Sequence, residues 1–146
     1  MIKRYGEAIR ADQSYRIRHG AYAILWTGEK MLVTFQSEPA PELQLPGGGI
    51  DPGESPLSGL HREVIEETGY TISEPRRLGA FRRYVYMPEY GYWAEKICRI
   101  YFARPVMRRS PPLEPHHEAR WVTPAVAMRD LGNPGDRAFV QNFFGR

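Results

Sequence analysis

The chain has 146 residues, 42% hydrophobic and 25% charged, with a net charge of +3 and one cysteine. Those values suit one folded domain with a real core, and they exclude a disulfide-stapled scaffold, a low-complexity tail and a disordered segment. No run approaches the roughly 20 apolar residues of a membrane helix, and the first twenty residues lack the apolar core of a signal peptide. One domain over 1–146, a cytoplasmic location and no membrane partner are therefore expected. Cys98 is read as a small buried hydrophobe. The pairs Arg76-Arg77, Arg82-Arg83 and Arg108-Arg109 are scattered, not gathered into a basic tract. Nucleic-acid binding is not indicated, most of these arginines are read as solvated surface, and only Arg82 or Arg83 is weighed for a phosphate contact. Homodimerisation is left open.

From Tyr15 to Trp26 the sequence YRIRHGAYAILW alternates and then becomes continuously apolar, the pattern of a long strand passing from half-covered to fully covered. Thr27 to Lys30 turn the chain and MLVTFQ returns it as a hairpin. A proline-broken loop over 36–42 and a short strand at Leu43 to Leu45 follow. Next comes Pro46-Gly47-Gly48-Gly49, then Asp51-Pro52-Gly53-Glu54, too rich in proline and glycine for a helix or a central strand and so read as a shaped loop. Ser55-Pro56 predicts an N-cap and first helical residue, Leu57, Leu60 and Val64 form an apolar stripe, and Thr68-Gly69 ends a helix of about four turns.

At about 100° per residue, Glu63, Glu66 and Glu67 share one side of that helix, away from the apolar stripe. Arg62 precedes Glu66 by four residues, the spacing at which helical side chains pair. Crowded carboxylates repel one another unless cations arrive, and hard divalent ions such as Mg²⁺ bind through a few carboxylates plus substrate phosphates. On the helix alone, a solvated amphipathic face explains the glutamates equally well.

Beyond the helix, LGAFRRYVY and WAEKICRIYFARP read as antiparallel strands joined by a turn at Met87 to Gly91. Period-two alternation in the second puts Ala94, Cys98, Ile100 and Phe102 on a core side and Trp93, Glu95, Ile97, Arg99 and Tyr101 on the other. That other side either lines a base-stacking pocket or decorates a half-exposed sheet, and decoration is preferred. Residues 105–118 are too proline-rich for regular structure and read as a loop overhanging the site. A short strand over Ala119 to Val122, a helix capped by Thr123-Pro124 and a last helix ending near Phe144 complete the chain. Hairpins in place of repeated βαβ units argue for an α+β domain with a mixed or antiparallel sheet.

The spacing Gly48, five residues, Glu54, seven residues, Arg62-Glu63, Val64, one residue, Glu66-Glu67, one residue, Gly69 resembles the Nudix box. Seven fixed identities, each met at roughly one position in fifteen, coincide by chance about once in a hundred million starting points. Tyr70 stands where the family usually has an aliphatic residue, and Ser58-Gly59 where small helix formers are common. Neither departure touches a metal ligand, and Gly59 points to close packing at that place in the helix.

The resemblance implies a mixed β-sheet sandwiched between helices and hydrolysis of a nucleoside diphosphate linked to another group, by water attack at phosphorus, with Mg²⁺ or Mn²⁺. It implies Glu66 and Glu67 as principal metal ligands, Glu63 as a third ligand or the group orienting water, and Arg62 as the brace of Glu66. Glu54 then ties loop to helix or completes an outer shell, and the carbonyl of Gly47, next to Gly48, is a candidate ligand. A further acid from a distant loop is expected, with Glu118 in the right region and His117 competing. Neutral histidine suits zinc better than magnesium, so no histidine is expected among the direct ligands. The leading substrate is a nucleoside triphosphate, ordinary or oxidised, cleaved to the monophosphate and pyrophosphate. Tyr84, Tyr86 and Tyr90 keep a dinucleoside polyphosphate open, and ADP-ribose or a nucleotide sugar comes third. A non-catalytic nucleotide-binding module is the rival of another class, set back by the presence of all three glutamates.

Overall fold

The long alternating strand is the middle of the molecule. The computed structural model describes residues 2–145, so positions 1 and 146 of the expected domain lie outside the described residues. Its strands are Lys3–Arg4 (β1), Arg16–Trp26 (β2), Met31–Gln36 (β3), Glu42–Gln44 (β4), Gly47–Gly49 (β5), Tyr70–Ile72 (β6), Arg76–Met87 (β7), Tyr92–Ala103 (β8), Pro105–Arg108 (β9) and His117–Val122 (β10). The helices are Pro56–Thr68 (α1), Pro124–Asp130 (α2) and Pro134–Phe144 (α3).

The main sheet runs β1-β7-β8-β2-β3-β10, with β4 on β3 and β5 on β2. It is mixed: β2 lies parallel to β8 from Arg16↔Ala94 to Leu25↔Ala103, while β7 and β10 pair antiparallel with β8 and β3. The continuous apolar run of β2 is buried on both faces, as a covered strand must be. Ala21, Ala23 and Leu25 pack with Leu60 and Val64 of α1. Ile24 packs with Phe81, Cys98 and Ile100, and with Ala127 of α2 and Val140 of α3. Helices thus cover both faces of a mixed sheet, the α+β arrangement expected. No helix among the described residues is long and apolar enough to cross a membrane.

α1 begins and ends as its sequence dictates. Ser58 N–H donates to Ser55 Oγ at 3.1 Å, Pro56 takes the first turn, and Gly69 closes the helix at φ 80°. That left-handed position is crowded as well as strained for other residues, because a Cβ on Gly69 would collide with the carbonyl of Ser110.

Four features depart from the sequence reading. The triple glycine is a short strand, β5, paired with Gly20 to Tyr22 of β2, where the absence of side chains lets two backbones and α1 approach. Residues 105–118 are not wholly irregular: Pro105–Arg108 pair with Tyr70–Ile72, with Pro105 at the strand's first position, where a missing donor is tolerated. β1 runs parallel to β7 at Lys3↔Phe81, a pairing too short to leave a periodic signal. Leu57 is 41% exposed although it shares the stripe of Leu60 and Val64, because it lies in the first turn, outside the cluster that α1 packs against.

Leu60→Ala should therefore cost about 2–5 kcal/mol, the usual range for a fully buried leucine, while Leu57→Ala should stay within about 0.5 kcal/mol of the parent. Urea unfolding of both variants checks the contrast.

Candidate functional site

α1 sets its charged side against β5, and Arg62 organises what lies between them. Its Nε and Nη2 donate to the two oxygens of Glu54 at 2.8 and 2.9 Å, its Nη1 to Glu63 at 2.9 Å and to Glu66 at 3.3 Å, and its Nη2 also to the carbonyl of Gly49 at 3.1 Å. The i,i+4 contact with Glu66 that the spacing suggested is present, but the two-pronged partner is Glu54. Glu54 also accepts from the N–H of Asp51 at 3.0 Å, so loop and helix are tied through one carboxylate. The guanidinium, ahead of the Asp51 amide, draws the Glu54 carboxyl down to about 2. Gly59 is the close contact its place in the helix implied: a Cβ there would lie 3.0 Å from Glu54 Oε1.

Gly48 leaves the space that Glu63 occupies, since a Cβ would fall 2.5 Å from the Glu63 carboxyl. Burial raises Glu63 to about 7, against the pull of Arg62 and with the help of Glu66 and Glu114. Glu67 is deeper, 7% exposed. Its Oε1 accepts from the N–H of Gly47 at 3.0 Å, and its Oε2 lies 3.6 Å from His117 Nδ1, which is itself 3.2 Å from the Thr34 hydroxyl. Burial pushes Glu67 well above the usual carboxylate range, and the Gly47 amide only partly opposes it. Burial also lowers His117, with His116 adding to the effect, so the imidazole beside Glu67 is the neutral form.

A carboxylate that the sequence reading passed over joins the helix. Oxygens of Glu63, Glu66 and Glu114 all lie within 4.8 Å of one another, a group fit to hold a metal ion. Glu114 is placed by backbone, its N–H and that of Leu113 donating to the carbonyl of Glu66 at 3.0 and 2.7 Å. Glu118 is not brought into this group. On β10 the alternation turns His117 inward and Glu118 outward, where its side chain is 65% exposed and bonds Arg120 at 2.8 Å. Only the path of the proline-rich loop distinguishes Glu114 from Glu118, and spacing along the chain does not carry that path.

Beside these carboxylates opens a cavity of about 420 Å³, a size that suits a nucleotide. Gly47, Gly48, Glu63, Glu67, Glu114 and His117 border it on one side, and Tyr22, Lys96 and Asp136 on another. The face of β8 that enters it is the one read as core, through Lys96. Of the alternative face, Tyr101 is buried under α1. Tyr84 is spent on packing, 7% exposed with its ring 4.8 Å from that of Tyr15, whereas Tyr86 and Tyr90 are exposed and line the cavity.

The NUDIX domain family model matches residues 16–143, nearly the whole chain. The chain belongs to the Nudix family. Over 64 residues it is 34% identical to the Bacillus subtilis (strain 168) protein named "Putative 8-oxo-dGTP diphosphatase", covering 44% of this chain and 43% of that one. It is 44% identical over 48 residues to the RNA pyrophosphohydrolase of Rhizobium meliloti (strain 1021), covering 32% and 29%. The chain thus spans less than half the length of these two curated relatives. Among solved structures, the MutT protein of Methanosarcina mazei Go1 superposes with a TM-score of 0.68 at 28% identity, covering 88% of this chain and 94% of that one. A Nudix hydrolase of Nitrosomonas europaea has the same TM-score at 18% identity, covering 89% and 90%, a likeness of fold alone.

The raised carboxyl in this Nudix site has a measurable consequence. Glu63 is protonated in folded and unfolded chain alike below pH about 4.5, and the folded chain resists its ionisation as pH rises towards 7, so stability falls across that window. With chelator present, Glu63→Gln should show a smaller fall between pH 5 and 7.5 than the parent, by on the order of 2 kcal/mol. Denaturation series at the two pH values measure it, and equal losses would contradict the assignment.

Proposed function

We propose that this chain is a Mg²⁺-dependent Nudix pyrophosphohydrolase, with Mn²⁺ as a substitute, that cleaves the pyrophosphate bond of a nucleoside diphosphate-linked substrate. The leading substrate is an ordinary or oxidised nucleoside triphosphate, yielding the monophosphate and pyrophosphate. The observation that carries the reading is the convergence of Glu63, Glu66 and Glu114 within 4.8 Å, beside the buried Glu67 and a cavity of nucleotide size. The names of the relatives support it, because proteins named as a diphosphatase and a pyrophosphohydrolase are similar to part of this chain. The reading treats 1–146 as one domain acting on a free phosphorylated small molecule.

Glu63, Glu66 and Glu114, with Glu67 at their edge and the Gly47 carbonyl as a further oxygen, are an all-oxygen donor set, the kind that suits Mg²⁺ and Mn²⁺. A bound divalent ion supplies charge neutralisation on phosphate oxygens and a more acidic water. The rest belongs to the chain. Arg62 fixes the rotamers of Glu63 and Glu66 and, through Glu54, the position of the glycine strand against the helix. Glu67 is held by the Gly47 amide on one oxygen and by the nearby His117 imidazole on the other. Its place at the cavity wall, beside the converging carboxylates, suits the group that takes a proton from attacking water. Tyr86 and Tyr90 on the cavity wall favour a dinucleoside polyphosphate as the second substrate reading.

The test is release of phosphate and pyrophosphate with Mg²⁺ across nucleoside triphosphates, oxidised nucleoside triphosphates, dinucleoside polyphosphates, ADP-ribose and nucleotide sugars. Glu67→Gln keeps an acceptor for the Gly47 amide and should lower kcat by about 10²–10⁴ with the fold intact. Glu114→Gln should raise the Mg²⁺ concentration needed for half-maximal rate, and Glu118→Gln should change neither. Full activity in Glu67→Gln would overturn the site, and nucleotide binding without turnover would leave a binding module.

A further inference from the structure

Three cations stand side by side on the sheet face opposite α1. Arg18 of β2 is the Cα partner of Lys96 of β8, and Lys96 is the Cα partner of Arg83 of β7. Neighbouring strands are about 4.8 Å apart, so the three positions form a transverse row roughly 10 Å long, and all three side chains border the cavity. Like charges at directly opposed positions destabilise a sheet. Five arginines elsewhere have carboxylate partners: Arg10 with Asp12, Arg62 with Glu54, Arg82 with Glu95, Arg120 with Glu118 and Arg129 with Asp130. None of the ion pairs found among the described residues includes Arg18, Lys96 or Arg83.

Aromatic rings take the place of counter-ions. Arg18 lies over the Tyr90 ring at 4.5 Å and donates to the Tyr92 hydroxyl at 2.9 Å, and the Lys96 ammonium is 5.6 Å from the centre of the Tyr22 ring. These contacts fix the cations without cancelling their charge. The carboxyl of α3 that acts on both Lys96 and Arg83 is that of Asp136, 5% exposed; burial raises it to about 7, so one partly charged carboxyl faces two of the three cations. Glu42 and Glu89 border the cavity as well.

The row starts beside the glycine strand. A Cβ on Gly49 would lie 3.1 Å from Arg18 Nη2, and from there the row leads across β8 to β7, away from the strand whose glycines face Glu63 and Glu67. Its direction and length suit an extended chain of phosphates with one end at the carboxylates.

We propose that Arg18, Lys96 and Arg83 form a subsite for a polyphosphate chain, so that the enzyme prefers substrates with three or more phosphates to those with two. The proposal rests on the pyrophosphohydrolase reading and narrows it: nucleoside triphosphates and dinucleoside polyphosphates extend along the row, whereas ADP-ribose and nucleotide sugars place an uncharged sugar there.

Binding to the metal-free chain tests the row apart from activity, because without metal the carboxylates repel phosphate. In chelator, calorimetric titration with inorganic tripolyphosphate should give tighter binding than with pyrophosphate, weakened by added salt. Lys96→Met and Arg83→Gln should each weaken tripolyphosphate at least about tenfold, with folding confirmed by circular dichroism. Arg83 is only half-buried, so its variant keeps the test alive if Lys96→Met does not fold. With Mg²⁺, kcat/KM for a nucleoside triphosphate relative to ADP-ribose should fall about tenfold in both. Unchanged tripolyphosphate affinity in folded variants would overturn the row whatever the activity. Row-dependent tripolyphosphate binding in a chain that hydrolyses nothing would uphold the row and sink the pyrophosphohydrolase reading.

Discussion

Everything at this site depends on one guanidinium holding apart and together four carboxylates that would otherwise scatter. Arg62 reaches Glu54, Glu63 and Glu66 at hydrogen-bond distance and Asp51 at 3.4 Å, and its last donor takes the Gly49 carbonyl. The pair with Glu54 ties the loop to α1, so the glycine strand stays against the helix at the point where Glu63 needs the room above Gly48. Arginine suits this post because its five donors have a fixed fork and its charge does not titrate away. A lysine there would present a point charge and lose the bidentate hold on Glu54. One cation does not neutralise Glu63, Glu66, Glu67 and Glu114 together, and the upward displacement of Glu63 and Glu67, caused first by burial, is increased by the carboxylates left beside them.

The sheet is what brings opposite faces of the molecule to a single cavity. β2 pairs with β3 only at Leu25↔Leu32 and Trp26↔Met31, and over Gly20 to Tyr22 its freed edge is taken by the glycine strand β5. The cavity opens at this parting, with Gln36, Glu42 and Gln44 of the β3–β4 hairpin on one side and Gly20 and Tyr22 of β2 on the other. Carboxylates of α1, which packs one face, and Lys96 and Asp136, which belong to the other, meet there. A continuous sheet would have kept them apart.

The sequence announced the local parts of this arrangement and was silent on the long-range ones, for a physical reason. α1, its serine cap, its glycine stop and its acidic side follow from contacts within four residues, and so they were legible. Lys96 was not: between Ala94 and Cys98 it falls on a side whose alternation says core, and only the pairing of β8 with β2 and β7 reveals that Arg18 and Arg83 stand beside it. Spacing along the chain points to Glu118 for a further carboxylate, but the one that meets Glu63 and Glu66 is Glu114, because the loop crosses the end of α1, where the amides of Leu113 and Glu114 cap the Glu66 carbonyl. Likewise Tyr84, Tyr86 and Tyr90 look equivalent in a string of letters. Tyr84 and Tyr86 share one face of β7, but Tyr15 packs on the first, while Tyr86 near the strand's end and Tyr90 in the turn stay exposed at the cavity.

The two halves of the cavity carry opposite charge, and that asymmetry has a thermodynamic consequence for the proposed chemistry. Carboxylates at one side would repel a polyphosphate that the cationic row would attract, so without metal such a ligand would be held by the row alone. A divalent ion held by Glu63, Glu66 and Glu114 would offset that repulsion, and reciprocity would then require that polyphosphate tighten the ion by the same factor that the ion tightens polyphosphate. Neither ligand needs to bind strongly by itself. The protein has already supplied the cost on both sides, as raised carboxyl proton affinities in one wall and opposed cations in the other, and under the proposed chemistry a metal with a chain of phosphates would relieve both at once.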